Sequence, residues 1–169
     1  MLVLGIDPGI AITGYGLIQS DRGANHQCIT YGTITTSSDE PDAERLKVLY
    51  GQLSAILQDY QPESCAIEKL FFQKNVKTAI SVGQARGVAM LTLANAGLGV
   101  YEYTPNVIKQ TVCGYGSAGK RQVQRMVQTI LNLEELPRPD DAADALAVAI
   151  CHIHHRPFHN LQQNNPTQR

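Results

Sequence analysis

A chain of 169 residues with 43% hydrophobic side chains is long enough for one sizeable core and short for two ordinary domains. Met1 leads straight into the apolar run Leu2-Val3-Leu4, and the longest apolar stretch, residues 79–100, is broken by Gln84, Arg86 and Asn95, so no secretory leader, membrane span or membrane partner is expected and the working compartment is read as cytoplasmic. Net charge is only −1, yet residues 69–125 hold eight basic side chains against one acid, Glu102; that segregation suits a basic surface beside an acidic pocket, or two solvated faces.

Leu2-Val3-Leu4-Gly5-Ile6-Asp7 reads as a buried strand ended by the turn Asp7-Pro8-Gly9. Residues 13–18 and 27–35 follow as strands of a meander, and their many glycines would let another element approach the backbone closely. Ser37-Ser38-Asp39-Glu40-Pro41, with polar caps and acids first, opens a helix whose Leu46, Leu49, Leu53, Ile56, Leu57 and Tyr60 recur at helical spacing. Ser64 to Glu68 is a second buried strand ending in a carboxylate. In an open mixed sheet, ligands bind at such strand ends, where Asp7 and Glu68 would both sit.

Residues 69–75 show neither helical nor strand periodicity and read as a loop. Phe71 and Phe72 stand there between lysines, a pattern that suits stacking on an unpaired base while cations hold phosphate, or a loop that tucks its aromatics into the core or against a second subunit. Asn75 to Ala96 is a long helix with small residues, and Val100 to Tyr103 a strand. Thr104-Pro105 caps the short helix that carries Lys109.

Gly114 to Lys120 fits the phosphate-binding pattern G-x-x-x-x-G-K. Arg121 follows where Ser or Thr would hold magnesium, and a helix end precedes where a strand is required, so that reading fails. What remains is a glycine loop that delivers Lys120 and Arg121 to a polyanion. Gln122 to Leu131 forms a further helix. Cys28, Cys65, Cys113 and Cys151 stand far apart, as buried fillers in a reducing compartment do.

Residues 139–150 read as a helix buried nearly all round, with carboxylates at its start. Asp140 has the position of a helix cap. Asp141 and Asp144 lie one above the other, where they complement the helix dipole or share a cation. Four of the five histidines follow within residues 152–159, read as side chains of a fraying helix end with a metal site as the alternative; residues 160–169 are polar and expected to be disordered. Asp7, Glu68, Asp141 and Asp144 together offer hard oxygen ligands for two divalent cations. Magnesium prefers such carboxylates, and a two-metal site hydrolyses phosphodiesters without a histidine base.

Gly5-Ile6-Asp7-Pro8-Gly9, Ile67-Glu68, Phe71 with Lys74-Asn75, residues 83–87, residues 107–112 and Asp141-Ala142-Ala143-Asp144-Ala145-Leu146 closely resemble the RuvC family of bacterial Holliday-junction resolvases over residues 1–155. The resemblance implies one ribonuclease H-like α/β domain, a central mixed five-stranded sheet flanked by helices, at residues 1–155, with residues 156–169 as a polar tail. It implies a homodimer that nicks two like strands of a four-way DNA junction, leaving 5′-phosphate and 3′-hydroxyl ends, and that acts with the RuvA and RuvB branch-migration proteins. Carried over by position, Asp7, Glu68, Asp141 and Asp144 match the catalytic tetrad, with Mg2+ as metal and Mn2+ as substitute. Phe71 matches the aromatic that enters the junction centre, with Phe72 beside it, and Lys109 and Lys120 match lysines near the scissile phosphate. Lys74, Lys77, Arg86 and Arg121, in the same basic stretch of sequence, are expected as further DNA contacts.

Three other readings compete. An actin-like ATPase shares the opening turn but needs a second nucleotide-binding half for which the chain has no room. A YqgF-like ribonuclease would act on RNA, and a junction-binding module without catalysis would not need four intact acids.

Overall fold

The computed structural model describes residues 1–21, 25–69 and 76–163, with side chains omitted at 76–78 and beyond 156. In chain order its elements are β1 (Leu2–Asp7), β2 (Ile12–Ser20), β3 (His26–Thr35), α1 (Asp42–Tyr60), β4 (Ser64–Glu68), α2 (Val76–Asn95), β5 (Val100–Tyr103), α3 (Pro105–Cys113), α4 (Lys120–Ile130) and α5 (Asp140–Gln163). The strands form one sheet in the order β3-β2-β1-β4-β5. β1, β2 and β3 pair antiparallel, as a meander must, whereas β4 lies parallel to β1 and β5 parallel to β4. The parallel pairs need crossovers, which α1 and α2 supply. This is the mixed five-stranded sheet flanked by helices that the ribonuclease H-like resemblance implies.

Strand alternation divides the core in two. Leu4, Ile6, Cys65 and Ile67 face α1 and α2, packing with Leu49, Leu53, Ala85, Ala89 and Leu93. Val3 and Ala66 face the other way, toward Ile108, Val123, Val127 and the buried run of α5. By the same period of two, Asp7 shares the face of Val3, and Glu68 that of Ala66. Both carboxylates therefore look toward α5.

That helix lies directly on the sheet because glycines let it. A Cβ on Gly5 would stand 2.1 Å from the carbonyl oxygen of Ala145, and one on Gly16 2.7 Å from the Leu146 side chain. Ala142, Ala143 and every residue from Ala145 to Cys151 are fully buried. The larger aliphatic side chains among them contribute roughly 1.5–3 kcal/mol each to holding the helix down.

Several expectations need correction. Ser37 to Glu40 do not cap α1: Pro41 does, its carbonyl accepting from the amides of Glu44 and Arg45. Asp140 is not the cap of α5 either, since the Pro139 carbonyl accepts from Ala142 and Ala143, and the Asp140 carboxylate takes the Gln124 side-chain amide at 2.6 Å, tying α4 to α5. α5 runs on to Gln163, so the boundary expected after residue 155 falls inside a helix. His152 is no frayed end: it is fully buried. α4 begins at Lys120, which is thus the first residue of a helix whose N-cap is Gly119, with α3 ending at the left-handed Gly114 before it. A helix–loop–helix stands where a phosphate-binding loop would require strand and helix. The cysteines are free; burial pushes the thiols of Cys28 and Cys151 up to about 11 and that of Cys65 up to about 12, which keeps them protonated and unreactive.

Candidate active site

Residue register brings the four acids together. Ile6 of β1 pairs with Ile67 of β4, so the next residues, Asp7 and Glu68, end adjacent parallel strands side by side. On the other flank of β1, Asp7 pairs with Gly14 of β2. A Cβ on Gly14 would stand 1.9 Å from the carbonyl oxygen of Asp141, so the first turn of α5 rests on the strand next to Asp7. Asp144, one turn further along α5, joins Glu68 in the wall of a cleft of about 170 Å³.

The proximity registers in the proton affinities. Burial first, then the charges of Glu68, Asp144 and Asp141, push the Asp7 carboxyl up to about 8, against a smaller opposing effect of Lys120. Burial and the Asp144 charge push Glu68 up to about 7, with Lys109 and Lys120 pulling it down. Asp144 is raised as well, mainly by burial. Asp7, Glu68 and Asp144 oppose one another's ionisation at this site, and positive charge among them would relieve it. Among the described residues no three potential ligands already stand at the spacing of a formed metal site. The donor set nevertheless fits divalent cations: hard oxygens in excess, partly buried, and short of positive charge.

The remaining wall of the cleft is Pro105, Ile108, Lys109, Lys120 and Val123. Thr104 accepts a hydrogen bond from the Val107 amide and, with Pro105 in the first turn, fixes the start of α3, from which Lys109 reaches the cleft. Lys120 is set by the N-cap of α4, where the Gly119 amide donates to the Gln122 side chain at 2.8 Å. The cleft thus combines acids from β4 and α5 with ammonium groups from α3 and α4, an arrangement that can grip a phosphodiester and metal ions together.

The other sequence-derived contacts fare differently. Arg121 is exposed beside Lys120 on α4. Arg86 is not brought to the acids: it pairs with Glu102, on the face of β5 opposite to Tyr101 and Tyr103, so strand alternation puts it across the sheet from the tetrad. Phe71, Phe72 and Lys74 lie outside the described residues, as does the side chain of Lys77. Sequence reasoning did not single out Ser64, at the start of β4, or Tyr103, the register partner of Glu68, whose hydroxyls both meet the buried His152.

Comparison with known proteins gives a consistent result. The family model described as crossover junction endodeoxyribonuclease RuvC matches residues 3–152. The chain is 55% identical over 163 residues to the crossover junction endodeoxyribonuclease RuvC of Finegoldia magna, spanning 96% of this chain and 99% of that protein. It is 56% identical over 153 residues to the same enzyme of Caldicellulosiruptor saccharolyticus, spanning 90% and 92%. Among solved structures, Thermus thermophilus RuvC in complex with Holliday junction substrate superimposes with a TM-score of 0.89 at 36% identity, over 94% of this chain and 96% of that one. The yeast mitochondrial Holliday junction resolvase superimposes at 0.61 with 12% identity, over 95% and 85%, a likeness of fold alone.

Proposed function

The chain belongs to the RuvC family, and from that premise we propose that it is a structure-specific endodeoxyribonuclease that resolves four-way DNA junctions by paired, symmetric, metal-dependent nicks. The observation that carries this reading is the convergence of Asp7, Glu68, Asp141 and Asp144 at one end of the sheet, with Lys109 and Lys120 lining the same cleft as Glu68 and Asp144.

Asp7 and Glu68 at the strand ends, with Asp141 and Asp144 on the helix, would hold two Mg2+ ions, or Mn2+ in their place. Bound there, the pair would supply an activated water for in-line attack and charge neutralisation at the departing 3′ oxygen, leaving 5′-phosphate and 3′-hydroxyl ends. The chain's own residues do the placing. The strand-end carboxylates are fixed by sheet register, and glycine contacts with β1 and β2 let α5 bring the helical pair close to them, so neither depends on a flexible loop. Lys109 and Lys120 take the phosphate's negative charge in the same cleft, and Arg121 extends that contact along the backbone. Phe71, with Phe72 beside it, is assigned to the opened junction centre, and Lys74 and Lys77 to its phosphates. Arg86, paired with Glu102, belongs to the same proposal as a basic DNA contact outside the cleft.

We assign the two-fold contact of a homodimer to the outer face of α2. Ile80 is 59% and Leu91 58% exposed there, and Gly83 and Gly87 between them have open space above their Cα atoms. A cytoplasmic site of action and cooperation with RuvA and RuvB belong to the same proposal through family resemblance; among the described residues no helix is long and apolar enough to cross a membrane.

The test is cleavage of a labelled mobile four-way DNA junction beside a linear duplex and an RNA–DNA hybrid, with and without Mg2+. Paired symmetric nicks in the junction alone, dependent on metal, are expected. Cutting of the hybrid would move the chain to a ribonuclease role, and junction binding without cleavage under any divalent ion would make it a binding module.

A further inference from the structure

One polar residue interrupts the buried run of α5. His152 follows an unbroken stretch of alanine, leucine, valine, isoleucine and cysteine and is itself fully buried, where an unpaired imidazole would be costly. Both ring nitrogens are engaged. Nε2 lies 2.7 Å from the hydroxyl of Ser64, the first residue of β4, and Nδ1 lies 2.9 Å from the hydroxyl of Tyr103, the last residue of β5. The ring leans on Tyr101 with centroids 4.5 Å apart.

Tyr103 also reaches the active site. It is the register partner of Glu68, and its carbonyl accepts from the amide of Lys69, the residue after Glu68, at 2.8 Å. It therefore grips the end of β4 through its backbone and α5 through its side chain. On the helix, His152 stands about three turns below Asp141 and on nearly the same line.

Elsewhere α5 meets β1 and β2 through glycine and alanine, contacts that attract strongly but have little direction. Such a surface resists separation better than it resists a small slide or rotation. Hydrogen bonds at fixed lengths do resist it, and setting register is the best-attested use of buried polar groups. We propose that His152, with Ser64 and Tyr103, is a positioning residue of the active site: it fixes the height and rotation of α5 on the sheet, and through them the placement of Asp141 and Asp144 against Glu68. The inference rests on reading the four carboxylates as a divalent-cation site.

The experiment is a Mn2+ titration followed by electron paramagnetic resonance of the free ion, on the full chain and on Tyr103→Phe, Ser64→Ala and His152→Gln, alongside melting temperatures and junction affinity in EDTA. Tyr103→Phe keeps the ring and loses one bond. It is expected to raise the Mn2+ midpoint about three- to tenfold, at or below the low end of what losing an outer-shell partner costs, with junction affinity in EDTA unchanged. Ser64→Ala should shift the midpoint in the same direction, and cleavage by both variants should recover at saturating Mn2+. His152→Gln should move it further; if that variant does not fold, the two milder ones decide. A lower melting temperature with an unchanged Mn2+ midpoint makes the trio a packing feature and overturns the proposal. A wild-type chain that takes up no Mn2+ overturns the metal-site reading and this inference with it, an outcome the titration separates from the first.

Discussion

Asp7 concentrates the conflict between stability and function in a single side chain. Its carboxyl is pushed from 3.8 to about 8, first by burial and then by three neighbouring carboxylates. Between those two values the metal-free native state binds a proton that the unfolded state has released. The contribution to stability is thus fully present below about pH 4 and is lost as pH rises toward about 8. Glu68 and Asp144, also raised, act in the same sense. In EDTA, the melting temperature of the wild type is expected to fall between pH 5 and pH 8.5, and Mg2+ at the higher pH should restore it. Asp7→Asn should abolish cleavage, fall less between those pH values, and respond less to Mg2+. A wild-type melting temperature that rises with pH in EDTA would remove the carboxylates from a shared buried site. At this scale the tetrad was legible because each acid stood where an apolar segment began or ended. His152 was misread because local spacing gives a side chain's phase within its own element, while its partners, Ser64 and Tyr103, are set by how elements pack.

The first turn of α5 reaches Asp7 only because β2 offers it no side chain. Glycine-rich strands were visible in the sequence as an invitation to close approach, but not which element would accept it. The structure supplies that: the Gly14 position faces the Asp141 carbonyl, which is backbone and cannot swing aside. Gly14→Ala should therefore cost about 1–3 kcal/mol by overpacking and reduce cleavage further than the lost stability explains, since it lifts Asp141 from its place. Gly51 makes the control. It lies exposed within α1 with nothing within 4 Å of its would-be Cβ, so Gly51→Ala should stabilise by about 0.5–1 kcal/mol and leave cleavage unchanged. Denaturant melts of both variants check the pair. Equal signs would mean that α5 does not rest on β2 as described.

A junction has two equivalent strands to cut, and the described residues of one protomer bring the four acids to a single cleft, so the pairing of nicks belongs to the whole molecule. The face of α2 that carries Ile80 and Leu91 lies on the side of the sheet away from α5, so a two-fold contact there leaves both clefts uncovered. Open glycines between the two apolar side chains allow the helices of two protomers to approach closely, and a self-complementary patch is what a two-fold interface requires. Leu91→Glu would place two carboxylates near each other across that axis while altering an exposed position of the isolated protomer. The wild type is expected to elute as a dimer and the variant, at the same concentration, as a monomer that keeps its melting cooperativity and its Mn2+ affinity and loses paired nicking, with any remaining cuts falling on one strand at a time. Sedimentation and a cruciform plasmid, which is linearised by paired cuts and only relaxed by single ones, read these outcomes separately. A Leu91→Glu protein that is still dimeric and still linearises the plasmid would move the two-fold contact away from α2, while leaving the acidic cleft as the site of cleavage.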